Sequence, residues 1–91
     1  MKRFTVIYDP RVETALAYLV VENWDTPVVA NVSLASNRID KLLSNHPENW
    51  GTPIHDNVRV LWIPPLEIMY VIFDEDRQVT VFDVKFVPDG Q

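Results

Sequence analysis

The sequence predicts an α+β fold of order β-α-α-β-β-β: an N-terminal strand and an αα-hairpin packed on a mostly antiparallel four-stranded sheet. Three observations predict it. Two helix-start signals, Asp9-Pro10 and Asp25-Thr26-Pro27, stand one helix length apart. The turn between the two helices is short, so they pack antiparallel. Three strand-like runs then follow closely between residues 58 and 87, and strands joined so closely pair antiparallel. Two helices on one face of such a sheet bury the apolar surface of both layers.

The elements follow in order. Phe4 to Tyr8 reads Phe-Thr-Val-Ile-Tyr, with Phe4, Val6 and Tyr8 on one face of a strand. Asp9 is a suitable N-cap, and Pro10 suits the first helical position because its missing N–H had no partner there. Val12, Ala15, Leu16 and Leu19 keep helical spacing, and Val20 and Val21 widen the stripe, so burial on more than one side is expected. This helix ends near Asn23-Trp24. The second carries Val28, Val32, Ala35, Ile39, Leu42 and Leu43 at steps of three or four, opposite Asn31, Ser33, Asn37, Arg38, Asp40 and Lys41. Pro47 ends it. His46 to Asn57 has loop chemistry, with two Pro, one Gly, two Asn and one Asp, and Trp50 is expected to be its hydrophobic anchor. Val58–Ile63, Leu66–Phe73 and Gln78–Val87 are the remaining strands. Pro64-Pro65 separates the first two and excludes a two-residue turn that needs positive φ. Asp74-Glu75-Asp76-Arg77 is a polar turn between the last two.

Composition narrows the function classes. The chain has 91 residues, 47% of them hydrophobic, with 8 Lys+Arg against 13 Asp+Glu and a net charge of −5. That length suits a single domain, 1–91, with a radius of gyration of about 12 Å. No apolar run approaches the ~20 residues that span a bilayer. Asp9 and Pro10 cut short any signal-peptide stretch after Met1, so a cytoplasmic chain is expected. Without Cys there is no disulfide framework, zinc ribbon or thiol nucleophile. Residues 51–91 hold three basic residues (Arg59, Arg77, Lys85) and seven acidic ones (Asp56, Glu67, Asp74, Glu75, Asp76, Asp83, Asp89), a net of −4. Phosphate binding needs clustered Lys and Arg, so this half is poorly suited to nucleic acid.

Few residues carry chemistry. His46 and His55 lie in the loop beside Glu48 and Asp56 and read as solvated histidines, because a metal site needs three or four convergent ligands. Asp74, Glu75 and Asp76 read as a solvated turn. Gly51 and Gly90 are the only glycines, too few for a phosphate loop. Ser33, Ser36 and Ser44 have no His placed to activate them. Trp62, Tyr70, Phe73, Phe82 and Phe86 fall on strands; stacking of bases would need interleaved basic residues, so core packing is expected. Arg59, Glu67 and Lys85 interrupt apolar strands. They mark either the solvent face of the sheet or a small polar patch on its open face.

From residue 39 the pattern becomes more particular: Ile39-Asp40-Lys41-Leu42-Leu43, then Pro47 and Gly51, then Asn57-Val58-Arg59-Val60-Leu61, then Pro65-Leu66. Ile68-Met69-Tyr70-Val71-Ile72 and Val79-Thr80-Val81-Phe82-Asp83-Val84 complete it. With Tyr8-Asp9-Pro10 before the first helix, this resembles the RelE/ParE family of bacterial toxin–antitoxin toxins over nearly the whole chain. The resemblance implies a RelE/ParE-like α+β fold and a toxin-like component of a type II pair, bound and neutralised by an antitoxin protein.

The family's ribonuclease branch cuts messenger RNA on the ribosome with Lys and Arg on the sheet and near the C-terminus; another branch inhibits DNA gyrase. Of the ribonuclease positions, only Arg59 and Lys85 carry over as candidate catalytic residues. The residue three before Tyr70 is Glu67 where the family commonly has Arg. The loop Ile54-His55-Asp56-Asn57 offers no Lys, and Val87-Pro88-Asp89-Gly90-Gln91 offers no basic residue. The resemblance thus implies a toxin fold with the basic site largely absent. Its alternatives are a non-catalytic binding module or a weak ribosome-dependent mRNA endoribonuclease. No cofactor and no membrane association are implied, and an oligomer is compatible.

Overall fold

A computed structural model describes residues 3–89. The elements are β1 (Thr5–Tyr8), α1 (Pro10–Glu22), α2 (Pro27–Asn45), a 3-10 turn (Pro47–Asn49), β2 (Thr52–His55), β3 (Val58–Ile63), β4 (Leu66–Phe73) and β5 (Gln78–Phe86). The sheet order is β1-β5-β4-β3-β2. Only the β1–β5 pairing is parallel; the other three are antiparallel.

The helix starts are those the sequence predicts. Asp9 caps α1 by accepting the Arg11 N–H at 2.8 Å, and this bond holds its carboxyl below the ordinary aspartate value. Thr26 caps α2, its hydroxyl accepting the Val28 N–H at 3.3 Å and donating to the Asn23 carbonyl at 2.6 Å. Asp25 adopts φ 65° at the hairpin tip, a left-handed conformation that Asp tolerates better than most residues. Among the described residues, no helix is long and apolar enough to cross a membrane.

The core lies between α2 and the inner face of the sheet. Val32, Ala35, Ile39 and Leu43 of α2 meet Leu61 of β3, Leu66, Ile68, Tyr70 and Ile72 of β4, and Val79 and Val81 of β5. Phe4 and Val12 close its ends. Two expectations are corrected here. Helix α1 buries fully only Val12 and half-buries Ala15, Leu16, Leu19 and Val20, while Val21 on its opposite face is exposed, because α1 packs on β5 and α2 along one side. Of the strand aromatics, only Tyr70 is in the core; Trp62, Phe73 and Phe86 are exposed and Phe82 is half-buried.

The sheet has five strands rather than four. Thr52–His55, within the expected loop, pairs with β3 as an edge strand whose four residues are all exposed. It shows no alternation of burial because neither face is covered. Pro53 is tolerated there because one side of an edge strand needs no ladder donor. Pro64 and Pro65, joined by a cis peptide bond, close the β3–β4 hairpin in two residues, with Ile63 opposite Leu66. That turn needs no positive φ. A bulge interrupts β5: Met69 pairs with Asp83 and Tyr70 with Val81, leaving Phe82 unpaired. It exchanges the faces, so Val79 and Val81 point inward before it and Val84 after it.

Candidate functional site

Strand β4 divides the candidate residues. Leu66, Ile68, Tyr70 and Ile72 point to the core, whereas Glu67, Met69, Val71 and Phe73 point to the side without helices. Arg59 pairs with Tyr70, so it belongs to the inner face. Lys85 pairs with Glu67, so it belongs to the outer one. The structure does not bring Arg59 and Lys85 together.

Arg59 joins a cluster at the end of the inner face. Its Nε donates to the Trp50 carbonyl at 2.7 Å, and its terminal guanidinium nitrogen donates to the Gly51 carbonyl at 3.3 Å. The fully buried Tyr70 places its hydroxyl 2.9 Å from the Pro47 carbonyl and 2.7 Å from the Trp50 carbonyl. Its single proton is shared between the two acceptors. Burial raises the Tyr70 phenol above its ordinary pKa despite the opposing pull of Arg59. Gly51 completes the cluster at φ +73°, where an added Cβ would lie 2.5 Å from the Val60 carbonyl oxygen. The expected hydrophobic anchor is corrected: Trp50 is 40% exposed and holds this segment through its carbonyl, which accepts from Arg59 and Tyr70. A guanidinium holding two carbonyls is a loop clamp.

The open face is the candidate binding surface. Val58 and Val60 of β3 lie beside Val71 and Met69 of β4, forming a half-buried apolar strip. Trp62 and Phe73, 41% and 43% exposed, stand at its two ends. Trp62 Nε1 donates to the Val87 carbonyl at 2.8 Å, and the Val87 N–H donates to the Pro65 carbonyl, so the segment after β5 is tied to the hairpin. Among the described strand residues, the charged ones of this face are Glu67, Asp83 and Lys85. At its margin, a cleft of about 320 Å³ lies between Arg11, Val12 and Ala15 of α1 and Met69, Phe82 and Asp83. Arg11 is paired with Asp9 at 3.3 Å. Among the described residues, the face thus lacks the excess of positive charge that holds a phosphodiester.

The remaining candidates lie apart. His46 follows α2 and lies 3.9 Å from Glu48; His55 ends β2 and lies 3.6 Å from Asp56. No group of three potential metal ligands occurs among the described residues. Asp74, Glu75 and Asp76 form the exposed β4–β5 turn. Of the segment after β5, Gly90 and Gln91 lie outside the described residues.

This topology, with a strand and helix hairpin leading into an antiparallel sheet and a parallel β1–β5 pairing, has close counterparts among solved structures. A chain of the toxin–antitoxin complex RelBE2 from Mycobacterium tuberculosis superposes with a TM-score of 0.75 at 20% identity, covering 98% of this chain and 97% of that one. The fold is that of RelE. The isolated Escherichia coli RelE toxin also superposes, with a TM-score of 0.61 at 16% identity over 97% of this chain and 88% of that one. No family model matches the sequence, and no curated protein does. Within the RelE fold, the residues that carry the sequence resemblance, Pro47, Gly51, Arg59 and Tyr70, form the inner-face clamp. The open face departs from the resemblance.

Proposed function

We propose that this chain is the toxin-like component of a toxin–antitoxin pair, bound by an antitoxin, and that it acts by protein contact rather than by cleaving RNA. The observation that carries this reading is the open face: an apolar strip beside two carboxylates and one lysine. A carboxylate a few Å from a phosphate opposes binding by up to a few kcal/mol at a protein surface. The RelE fold, seen in a toxin–antitoxin complex and in an isolated toxin, supports the toxin and antitoxin parts of the reading. An apolar strip accepts the nonpolar side of a peptide segment that orders on binding.

Two measurements test it. The purified chain is mixed with a candidate antitoxin, the product of any small gene adjoining its own, and followed by calorimetry; a stoichiometric complex is expected, and no such gene, or no heat at micromolar concentrations, counts against an antitoxin partner. The chain is also added to translating ribosomes, and the messenger is mapped by primer extension. Intact message is expected. Cuts that disappear on replacing Lys85 with Ala would make the open face a ribonuclease site and overturn the protein-contact reading.

A further inference from the structure

A groove of about 290 Å³ runs between α2, the β3–β4 hairpin and the segment after β5. Val28 and Ala35 of α2 face Ile63, Pro65 and Phe86 across it. Its far wall is tied in place. The Val87 N–H donates to the Pro65 carbonyl, and the Val87 carbonyl accepts from Trp62 Nε1 at 2.8 Å, which holds Pro88 beside the groove. Leu34 and Phe86 on its lining are 67% and 40% exposed. Large apolar side chains left open around a concave site mark an interaction surface.

Charge indicates the occupant. Among the described residues, the one charged group lining the groove is Arg38. It is exposed, and among those residues it is in no ion pair. Asn31, Leu34, Arg38 and Lys41 follow helical spacing along one flank of α2, so a second cation lies one turn beyond the first. The Asp40 carboxylate is on the other flank, where Tyr8 donates to it at 3.1 Å. The nearest acid along the far wall is exposed Asp89, next to Pro88 and outside ion-pair distance of Arg38. A chain with 13 acidic residues thus keeps a flank of two cations and no carboxylate beside an apolar groove. The open face of the sheet, with Glu67 and Asp83, has the opposite bias. The groove is half-open and covers one side of what it holds. A small molecule needs most of its surface enclosed, whereas side chains projecting from a peptide backbone are held in this way.

We propose that this groove seats an acidic, amphipathic segment of the antitoxin, with apolar side chains between α2 and the hairpin and a carboxylate on Arg38. This deepens the antitoxin reading and rests on it for the source of the segment. A guanidinium takes a carboxylate as a forked pair, and one such pair at the rim of an apolar groove fixes the direction in which the segment lies.

Fluorescence anisotropy of the chain with two labelled synthetic peptides tests this. One is an amphipathic helix with leucines on one face and glutamates flanking them; the other has lysines in place of the glutamates. At physiological salt the Debye length is about 8 Å, so distant carboxylates are screened. The glutamate peptide is expected to bind more tightly, although the net charge of −5 favours the lysine peptide everywhere else. Arg38→Glu replaces an attraction with a repulsion and is expected to weaken the glutamate peptide roughly ten-fold while strengthening the lysine peptide. Leu34→Ser should weaken both. Both positions are exposed, and unchanged circular dichroism checks that each variant is folded. A wild type that prefers the lysine peptide, a glutamate-peptide affinity unmoved by Arg38→Glu, or no binding up to about 100 µM overturns the proposal. A candidate antitoxin that binds wild type and Arg38→Glu equally overturns the groove but leaves the antitoxin reading standing; no complex with wild type fails that reading itself.

Discussion

Replacing Tyr70 with Phe isolates one hydroxyl in the clamp. The ring is fully buried among Leu43, Leu61 and Ile68 of the same core, and Phe fills the same space without a cavity. What changes is the hydroxyl shared by the Pro47 and Trp50 carbonyls, at 2.9 and 2.7 Å. The Trp50 carbonyl keeps the Arg59 Nε at 2.7 Å, so it stays satisfied. The Pro47 carbonyl loses this donor in a residue that is itself buried. Leaving a buried acceptor unpaired costs about 1–3 kcal/mol, and the middle of that range, about 2 kcal/mol, is expected here. For a domain of this size each kcal/mol shifts Tm by about 4–8 °C, so a fall of roughly 8–16 °C is expected. Urea unfolding by tryptophan fluorescence and thermal unfolding by circular dichroism measure it. A loss below about 0.5 kcal/mol would refute the clamp as a source of stability.

The remaining predictions concern the same cluster and the open face. Gly51→Ala puts a Cβ 2.5 Å from a backbone oxygen at φ +73°, and a loss of roughly 2 kcal/mol or more is expected in urea unfolding. Arg59→Met removes the guanidinium that holds the Trp50 and Gly51 carbonyls; a double-mutant cycle with Tyr70→Phe should show coupling of about 0.5–2 kcal/mol, and additivity would separate the two residues. Tyr8, which donates to Asp40 at 3.1 Å, and Tyr70 both have phenols raised in the folded state, by burial first. Their contribution is therefore complete below pH 10 and lost as pH rises above it, because the unfolded chain releases the proton first. Chemical denaturation from pH 8 to 11 should show the decline, and Tyr8→Phe should reduce its slope. Glu67→Arg, on the open face, should leave stability within about 0.5 kcal/mol while increasing retention of single-stranded RNA in low-salt anisotropy; unchanged retention would dismiss Glu67 as the repelling group.

Much of this architecture was legible because its signals are local. Asp9-Pro10 and Thr26-Pro27 start the helices through side chains one or two residues away, and the α2 stripe meets a single continuous core. The fifth strand was not legible, since Thr52–His55 has no covered face and contains a proline. The bulge at Phe82 was hidden because an alternating pattern counted through it assigns one half of β5 to the wrong face. The side occupied by Arg59 was ambiguous for a different reason. Both faces of β3 are apolar, so alternation alone could not say whether Arg59 or Val60 points inward. The signal lay in pairing: Arg59 stands opposite Tyr70, and Tyr70 shares its face with Leu66, Ile68 and Ile72. The half-exposed Trp50 shows the same limit, because a backbone carbonyl leaves no trace in side-chain hydropathy.

The alternation along β4 also separates two kinds of change. Substitutions at Tyr70 or Ile68 are felt by the core, whereas those at Glu67 or Phe73 meet solvent and neighbouring strands, and Met69 also lines the cleft against α1. The open face is therefore a writable panel on a fixed frame. A library varied at Val60, Trp62, Glu67, Met69, Asp83 and Lys85 would alter the panel without touching the clamp, making the chain a compact scaffold for displaying new recognition surfaces.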